Sequence, residues 1–131
     1  MDPLTIFAVP KGSPFKIKDV DETLPTGIQY VPISLCGNGI LRLKENCQVH
    51  ATIRCLSGNN TIYLDNYAFI QSLHVAEGST CEIHFEGKKS PIIRTLSGTG
   101  KVVVHLPTGV RYNFEDCVQN RYISSVVCHR V

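Results

Sequence analysis

Apolar and polar side chains alternate in several short runs of the chain. In residues 47–54 every second residue, beginning with Cys47, is apolar, and residues 81–86 and 110–115 follow the same pattern. Successive side chains of a β-strand point to opposite faces, so each run predicts a strand with one buried face. Segments rich in Gly and Asn, such as residues 36–39, separate the runs and predict turns. No helical stripe is sustained anywhere, and the pattern predicts an all-β protein.

A degenerate repeat occupies residues 41–64 and 73–104. Each copy contains Cys-x-x-His, then Ile-Arg-x-Leu-Ser-Gly, and then a short strand-like run. The second copy is longer, and its extra residues fall where loops between strands are expected. The repeat therefore predicts a duplicated strand-and-turn architecture.

The segment 1–32 differs from the rest of the chain because it holds five of the seven prolines. Proline is excluded from helix interiors and central strands, so residues 1–32 are predicted to form an extended arm. Residues 33–131 are then the β core, and residues 1–131 form a single domain. The predicted fold is an antiparallel jelly roll or a related two-sheet β-sandwich. The alternative is a short β-solenoid built from the two repeats, whose open ends would need caps or a partner.

Composition narrows the classes of partner. The chain has 131 residues, of which 43% are hydrophobic and 18% charged, which suits one globular domain and argues against disorder. A net charge of +2 argues against nucleic acid or an anionic membrane as the partner. No apolar run approaches the roughly 20 residues that a membrane span needs.

The expected compartment follows from the N-terminus and the cysteines. No basic segment followed by a long apolar one opens the chain, so we expect no secretory signal and an intracellular, cytoplasmic location. In that compartment the six cysteines are expected to be reduced and mostly buried.

Zinc is the first cofactor to consider, because Cys47-x-x-His50 and Cys81-x-x-His84 look like ligand pairs. Strand alternation argues against zinc at these pairs. It places each Cys on the core face with its apolar neighbours and each His on the opposite, wetted face. We therefore predict neither a metal nor another cofactor.

Signatures of catalysis are weak. No Gly-x-Ser-x-Gly elbow and no phosphate-binding loop leading into a helix is present. His50 and His84 are the only catalytic candidates, since they would share a wetted face if the two copies of the repeat stack. Two such histidines could act as general acid and base in a small nuclease-like enzyme.

One stretch of the chain has a family likeness. Residues 96–104 and 106–114 contain a glycine-rich turn, then Pro-Thr-Gly and an alternating run. This stretch resembles pieces of the cupin family, in which a metal-binding His follows the Pro-x-Gly turn. The resemblance implies a jelly-roll topology. It implies no cupin metal chemistry, because Tyr112 stands where that His would be and neither His74 nor His84 belongs to a His-x-His pair.

The function predicted from these observations is that of a non-catalytic structural or interaction protein that self-associates. Small jelly rolls with arms serve in viral capsids and related assemblies, an analogy that rests on the fold alone. The partner is then a second copy of the chain, or another protein. The alternatives are the His-dependent nuclease and a β module that binds glycan or peptide. For binding, the candidates are Tyr63, Arg54 and Arg111.

Overall fold

The computed structural model describes residues 15–130, which form two parallel β-sheets wound into a β-solenoid of about six turns. Each turn contributes one strand to each sheet, except that one turn contributes both β3 and β4 to sheet A. Sheet A contains β1 (Phe15–Lys18), β3 (Gly27–Gln29), β4 (Ile33–Cys36), β6 (Cys47–Cys55), β8 (Phe69–Val75), β10 (Ile92–Gly98) and β12 (Val118–Tyr122). Sheet B contains β2 (Asp21–Leu24), β5 (Ile40–Leu43), β7 (Asn59–Leu64), β9 (Thr80–Phe85), β11 (Lys101–Leu106) and β13 (Val126–Arg130).

Successive turns stack in register, so equivalent residues form columns along the solenoid. Within sheet A, Leu35 pairs with Cys55, Cys55 with Val75, and Val75 with Gly98, so one column runs through four neighbouring strands. The β3 strand also pairs with the first half of β6, ahead of β4, because β6 is long enough to hold both neighbours.

The core lies between the inner faces of the two sheets. Its side chains come from columns of aliphatic residues that are fully buried. Sheet A supplies Ile33, Ile53, Leu73 and Leu96, and sheet B supplies Leu41, Ile62, Ile83 and Val104. Along most of these strands every second side chain faces this core, whereas at the bulge in β6 three partly exposed residues separate the buried Val49 from Ile53.

The expected jelly roll or antiparallel sandwich is wrong, and so is the topology implied by the cupin resemblance. Every strand pair in residues 15–130 is parallel. Alternation of apolar and polar residues reports a half-buried strand and carries no information on strand direction. The observed class is the alternative, a solenoid, but it has about six turns and is not built from two repeats.

The expected N-terminal arm is also wrong for residues 15–32. These residues form β1, β2 and β3 and belong to the first turns of the solenoid. Their prolines are compatible with this because Pro25 lies between β2 and β3 and Pro32 between β3 and β4, outside the paired positions of these strands. The remainder of the predicted arm, residues 1–14, lies outside the described residues.

Neither half of the sequence repeat corresponds to equivalent structure. Residues 53–58 and 93–98 both include strand residues of sheet A, two turns apart, but the register places Ile53 in line with Leu73 and Leu96, so the two motifs are offset by three residues. Cys47 begins β6 in sheet A, whereas Cys81 lies in β9 in sheet B. The Cys-x-x-His segments are therefore alike in sequence but occupy different sheets.

A single short helix, α1 (Phe114–Cys117), is present in the described part of the chain and precedes the last turn. It buries Phe114 against Phe85, with ring centroids 6.4 Å apart, and so covers one corner of the core. Neither this helix nor any other among residues 15–130 has the length and apolar character needed to span a bilayer.

Replacing a member of an inner column tests the core. Ile62 is 0% exposed, so Ile62→Ala should lower the free energy of unfolding by about 2–5 kcal/mol through lost burial and a residual cavity. Leu56→Ala is the matched control, because Leu56 is 47% exposed and its truncation should change stability by less than about 0.5 kcal/mol. Urea unfolding followed by circular dichroism measures both, and equal losses would contradict the assigned core.

Candidate functional site

The outer face of sheet B carries one column of ring-bearing and basic side chains. Arg42, Tyr63, His84, His105 and His129 occupy equivalent positions on β5, β7, β9, β11 and β13. We call these five residues the ring ladder. They lie side by side because each turn of the solenoid returns the chain to the same register.

The members of the ring ladder stack on one another. The guanidinium carbon of Arg42 lies 4.2 Å from the ring centroid of Tyr63, within cation–π range. Ring centroids are 4.7 Å apart for Tyr63 and His84, 4.3 Å for His84 and His105, and 5.6 Å for His105 and His129. The separations of 4.7 and 4.3 Å are close to the spacing of neighbouring strands, about 4.7–4.9 Å, and the separation of 5.6 Å is larger. The ring faces are therefore covered by each other, and the ring edges remain for contact with a ligand.

The carboxylate of Glu82 lies on the same face of sheet B, beside the ring ladder. Glu82 lies two residues before His84 on β9, and its Oε1 atom is 3.1 Å from Nε2 of His105. The ring nitrogen donates this hydrogen bond, because an ionised carboxylate can only accept. Nδ2 of Asn59 donates to Oε2 of the same carboxylate at 3.2 Å. Both oxygens of Glu82 thus have partners from neighbouring turns.

Glu82, His84 and His105 form the closest group of metal-ligating side chains found among residues 15–130. Their ligand atoms all lie within 4.8 Å of one another, and all three side chains are partly buried. Two imidazoles and one carboxylate are groups that bind a transition-metal ion or exchange protons near neutral pH. The ladder continues past this group to an ion pair at Arg42, whose Nε donates to both oxygens of Asp21 at 3.0 and 3.1 Å.

The local environment lowers the pKa values of two of these groups, Glu82 and His84. The hydrogen bond from His105, followed by that from Asn59, lowers the pKa of Glu82, although partial burial opposes the shift. Partial burial, with a smaller effect from neighbouring His105, lowers the pKa of His84. The site therefore favours an ionised carboxylate beside a neutral imidazole, the forms that coordinate metals.

The structure separates the two histidines predicted as a catalytic pair. His50 lies on β6 in sheet A, where its Nε2 is 2.9 Å from Oε1 of Gln48 and its ring is 5.0 Å from that of Phe69. His84 lies on β9 in sheet B. The expectation that they share a face is wrong, because the Cys-x-x-His segments fall in different sheets.

The three predicted binding residues also lie apart. Tyr63 is a member of the ring ladder on sheet B, whereas Arg54 is on β6 in sheet A, in register with His74. Arg111 lies in the loop before α1 and lines a shallow pocket with Lys88. Only Tyr63 belongs to the candidate site.

Sequence reasoning missed His105, His129 and Glu82. A usable signal was present, because Arg42, Tyr63, His84 and His105 follow one another at equal intervals along the chain. A search for a repeat of that shorter period would have aligned them, whereas comparison of two long copies did not.

The buried thiols are poorly suited to nucleophilic catalysis. All six cysteines, which lie within the described residues, are free, and Cys47, Cys55, Cys81 and Cys117 are buried. Burial raises the pKa of Cys47 to about 12 and that of Cys117 to about 11. Since the thiolate is the nucleophile, these groups are inert near neutral pH.

Comparisons with models of protein families, with curated proteins and with solved structures found no match. The chain is therefore classified by its geometry alone: it is a parallel β-solenoid with the ring ladder on sheet B.

The lowered pKa of His84 predicts how stability responds to acid. Protonating His84 is less favourable in the folded than in the unfolded chain, where its pKa is near 6.5, so stability should fall as pH drops from about 7.5 to 5.5. Glu82 adds a loss only at lower pH, because its lowered pKa keeps its contribution intact until the carboxylate protonates. His84→Gln should reduce the fall in urea midpoint over this range, whereas His50→Gln, in the other sheet, should reduce it less. An unchanged fall in His84→Gln would contradict the assignment.

Proposed function

We propose that the protein is a non-catalytic structural or interaction module that associates with a second copy of itself through the last turn of its solenoid. The observation that carries the proposal is the pair of edge strands in this turn. Among the described residues, β12 pairs only with β10, and β13 only with β11. Each strand therefore has one row of backbone groups available for a further strand.

The composition of these edges favours pairing. Neither β12 nor β13 contains Lys or Pro, residues by which sheet edges are commonly protected. Tyr122 is 72% exposed and Val127 42% exposed, and both residue types favour strands. Cys128 stands in register with the buried Val104 yet is exposed, because no other turn within residues 15–130 covers it.

Two arginines at this end are held by their own chain. Arg130, in register with Leu106, donates to the carbonyls of Val110 and Tyr112 and to Oδ1 of Asn113 at 3.2, 3.1 and 2.9 Å. Arg121 donates from Nε to the carbonyl of Ile123 at 3.1 Å. Arg121 and Arg130 thus occupy the column positions of Leu96 and Leu106 in this turn and are hydrogen-bonded within their own chain. We infer an interface made by strand pairing and not by joining two cores.

The simplest assembly of this kind is a two-fold dimer. A two-fold axis perpendicular to the sheets places β13 antiparallel to β13 of the second copy, and β12 likewise, so both sheets continue across the interface. Because each copy uses the same end, the assembly closes at two subunits.

We also propose an intracellular, cytoplasmic location. It is supported by the six free thiols, since reduced cysteines persist where glutathione and thioredoxin keep them reduced.

The other functions considered have less support. The analogy with viral capsid modules depended on a jelly roll, and the sheets are parallel and form a solenoid instead. A nuclease built on His50 and His84 lacks proximity between them, because they lie in different sheets. Stacking of a sugar on Tyr63 has little room, because Arg42 and His84 flank its ring.

The oligomeric state under reducing conditions tests the proposal. The unmodified chain should sediment as a dimer at about 100 μM, and Cys128→Lys should shift it to monomer, because a charge within β13 opposes pairing in a two-fold interface. Leu56→Lys is the matched control, since it adds the same charge at an exposed apolar position in the middle of the solenoid, and it should remain dimeric. Circular dichroism checks that both variants fold. A monomeric unmodified chain at this concentration, or a dimer that survives Cys128→Lys, would overturn the proposal.

A further inference from the structure

The backbone of sheet B brings three metal-binding groups to one point of its outer face. Glu82 and His84 are two residues apart on β9 and so emerge on the same face, and His105 stands directly opposite His84 on β11. Their ligand atoms already lie within 4.8 Å of one another. Two regular strands position all three groups, which favours a well-defined site over one formed by loops.

We propose that Glu82, His84 and His105 bind one divalent transition-metal ion of the Zn²⁺, Cu²⁺ or Ni²⁺ type. The proposal concerns the outer face of sheet B and does not depend on self-association through the solenoid end. It also departs from the expectation of no metal, which considered only the Cys-x-x-His pairs.

The contact between Glu82 and His105 is close to the geometry that a metal requires. Tetrahedral bonds of about 2.0–2.2 Å place neighbouring ligand atoms roughly 3.3–3.6 Å apart. Oε1 of Glu82 and Nε2 of His105 are 3.1 Å apart, with a proton between them. A metal ion would take the place of this proton, the neutral ring then carries its N–H on Nδ1, and the two ligand atoms need to separate only slightly.

The remaining ligand, His84, is oriented by its neighbours. Its ring is stacked between those of Tyr63 and His105, with centroids 4.7 and 4.3 Å away. A rotation that brings its ring nitrogen about 1 Å closer completes a three-ligand set within the observed 4.8 Å limit. Three protein ligands leave a position for water, as in open zinc sites.

Glu82 also has the supporting contact that metal ligands usually have. Nδ2 of Asn59 donates to its Oε2 atom at 3.2 Å, on the opposite side of the carboxylate from His105. This hydrogen bond holds the carboxylate with Oε1 directed at the imidazole, so Asn59 is a positioning residue for the site.

The ligand set predicts which ions bind. Imidazole nitrogen suits zinc, copper and nickel, whereas magnesium and calcium require mostly oxygen ligands. A site with two nitrogens and one oxygen should therefore discriminate strongly against Mg²⁺.

Calorimetric titration of the full chain with ZnCl₂ and with MgCl₂ tests the inference. The chain is first stripped with chelator, and Cys128→Ser serves as the common background because the exposed thiol could itself take up zinc. We expect one Zn²⁺ per chain and no binding of Mg²⁺. Bound Zn²⁺ should also raise the urea midpoint of unfolding.

Substitutions at the proposed ligands, at Asn59 and at a distant histidine test where the ion binds. His105→Ala and Glu82→Gln should each weaken Zn²⁺ binding by at least about tenfold, and Asn59→Ala should weaken it by a smaller factor, near the lower end of roughly 10–100-fold. His50→Ala removes a histidine from sheet A and should leave binding unchanged. Absence of Zn²⁺ binding at about 100 μM metal would overturn the inference. Binding that persists in both ligand variants, or that His50→Ala weakens equally, would also overturn it.

Discussion

In-register parallel pairing between successive turns is the constraint on which the rest of the structure depends. Each turn returns the chain to its starting register one strand spacing further along, about 4.8 Å. Inner positions then form buried aliphatic columns such as Leu41, Ile62, Ile83 and Val104. Outer positions form the ring ladder by the same rule. The core and the candidate site are therefore two faces of one arrangement, and a slip of one residue in any turn would exchange them.

The ring ladder shows how a repeated backbone can bring metal-binding side chains together on the outer face of a sheet without forming a cavity. Tyr63, His84 and His105 are separated in sequence by a full turn of the solenoid each, yet their ring centroids stand 4.7 and 4.3 Å apart. Stacking covers the faces of the rings and restricts their rotation, so the ring nitrogens are held near one another and near Glu82. Binding at ring edges is the chemistry that this geometry supports, which is why the carboxylate beside the imidazoles is central to the proposed metal site.

The sequence predicted the strands better than their arrangement. Alternation in residues 47–54 and 81–86 correctly placed strands there, because burial of one face imposes period two in any sheet. The strand predicted from alternation in residues 110–115 is wrong, because this segment is a loop that leads into α1. Strand direction is set by the path between strands, which alternation does not record, and the antiparallel prediction was wrong for that reason. The prolines at positions 25 and 32 were interpreted as an arm, whereas they lie in the short links between strands. Of the candidate site, His84 and Tyr63 were identified in advance. His105 and Glu82 were not, because their role arises only once the turns are aligned.

Nuclear Overhauser effects between turns test this account most directly. Parallel in-register stacking predicts contacts between the backbone protons of Arg42 and Tyr63, Tyr63 and His84, and His84 and His105, together with contacts between the rings of the last three residues. Strong α-proton to α-proton contacts between strands consecutive in sequence, such as β8 with β9, would instead indicate antiparallel pairing. That result would contradict the solenoid and, with it, the ring ladder.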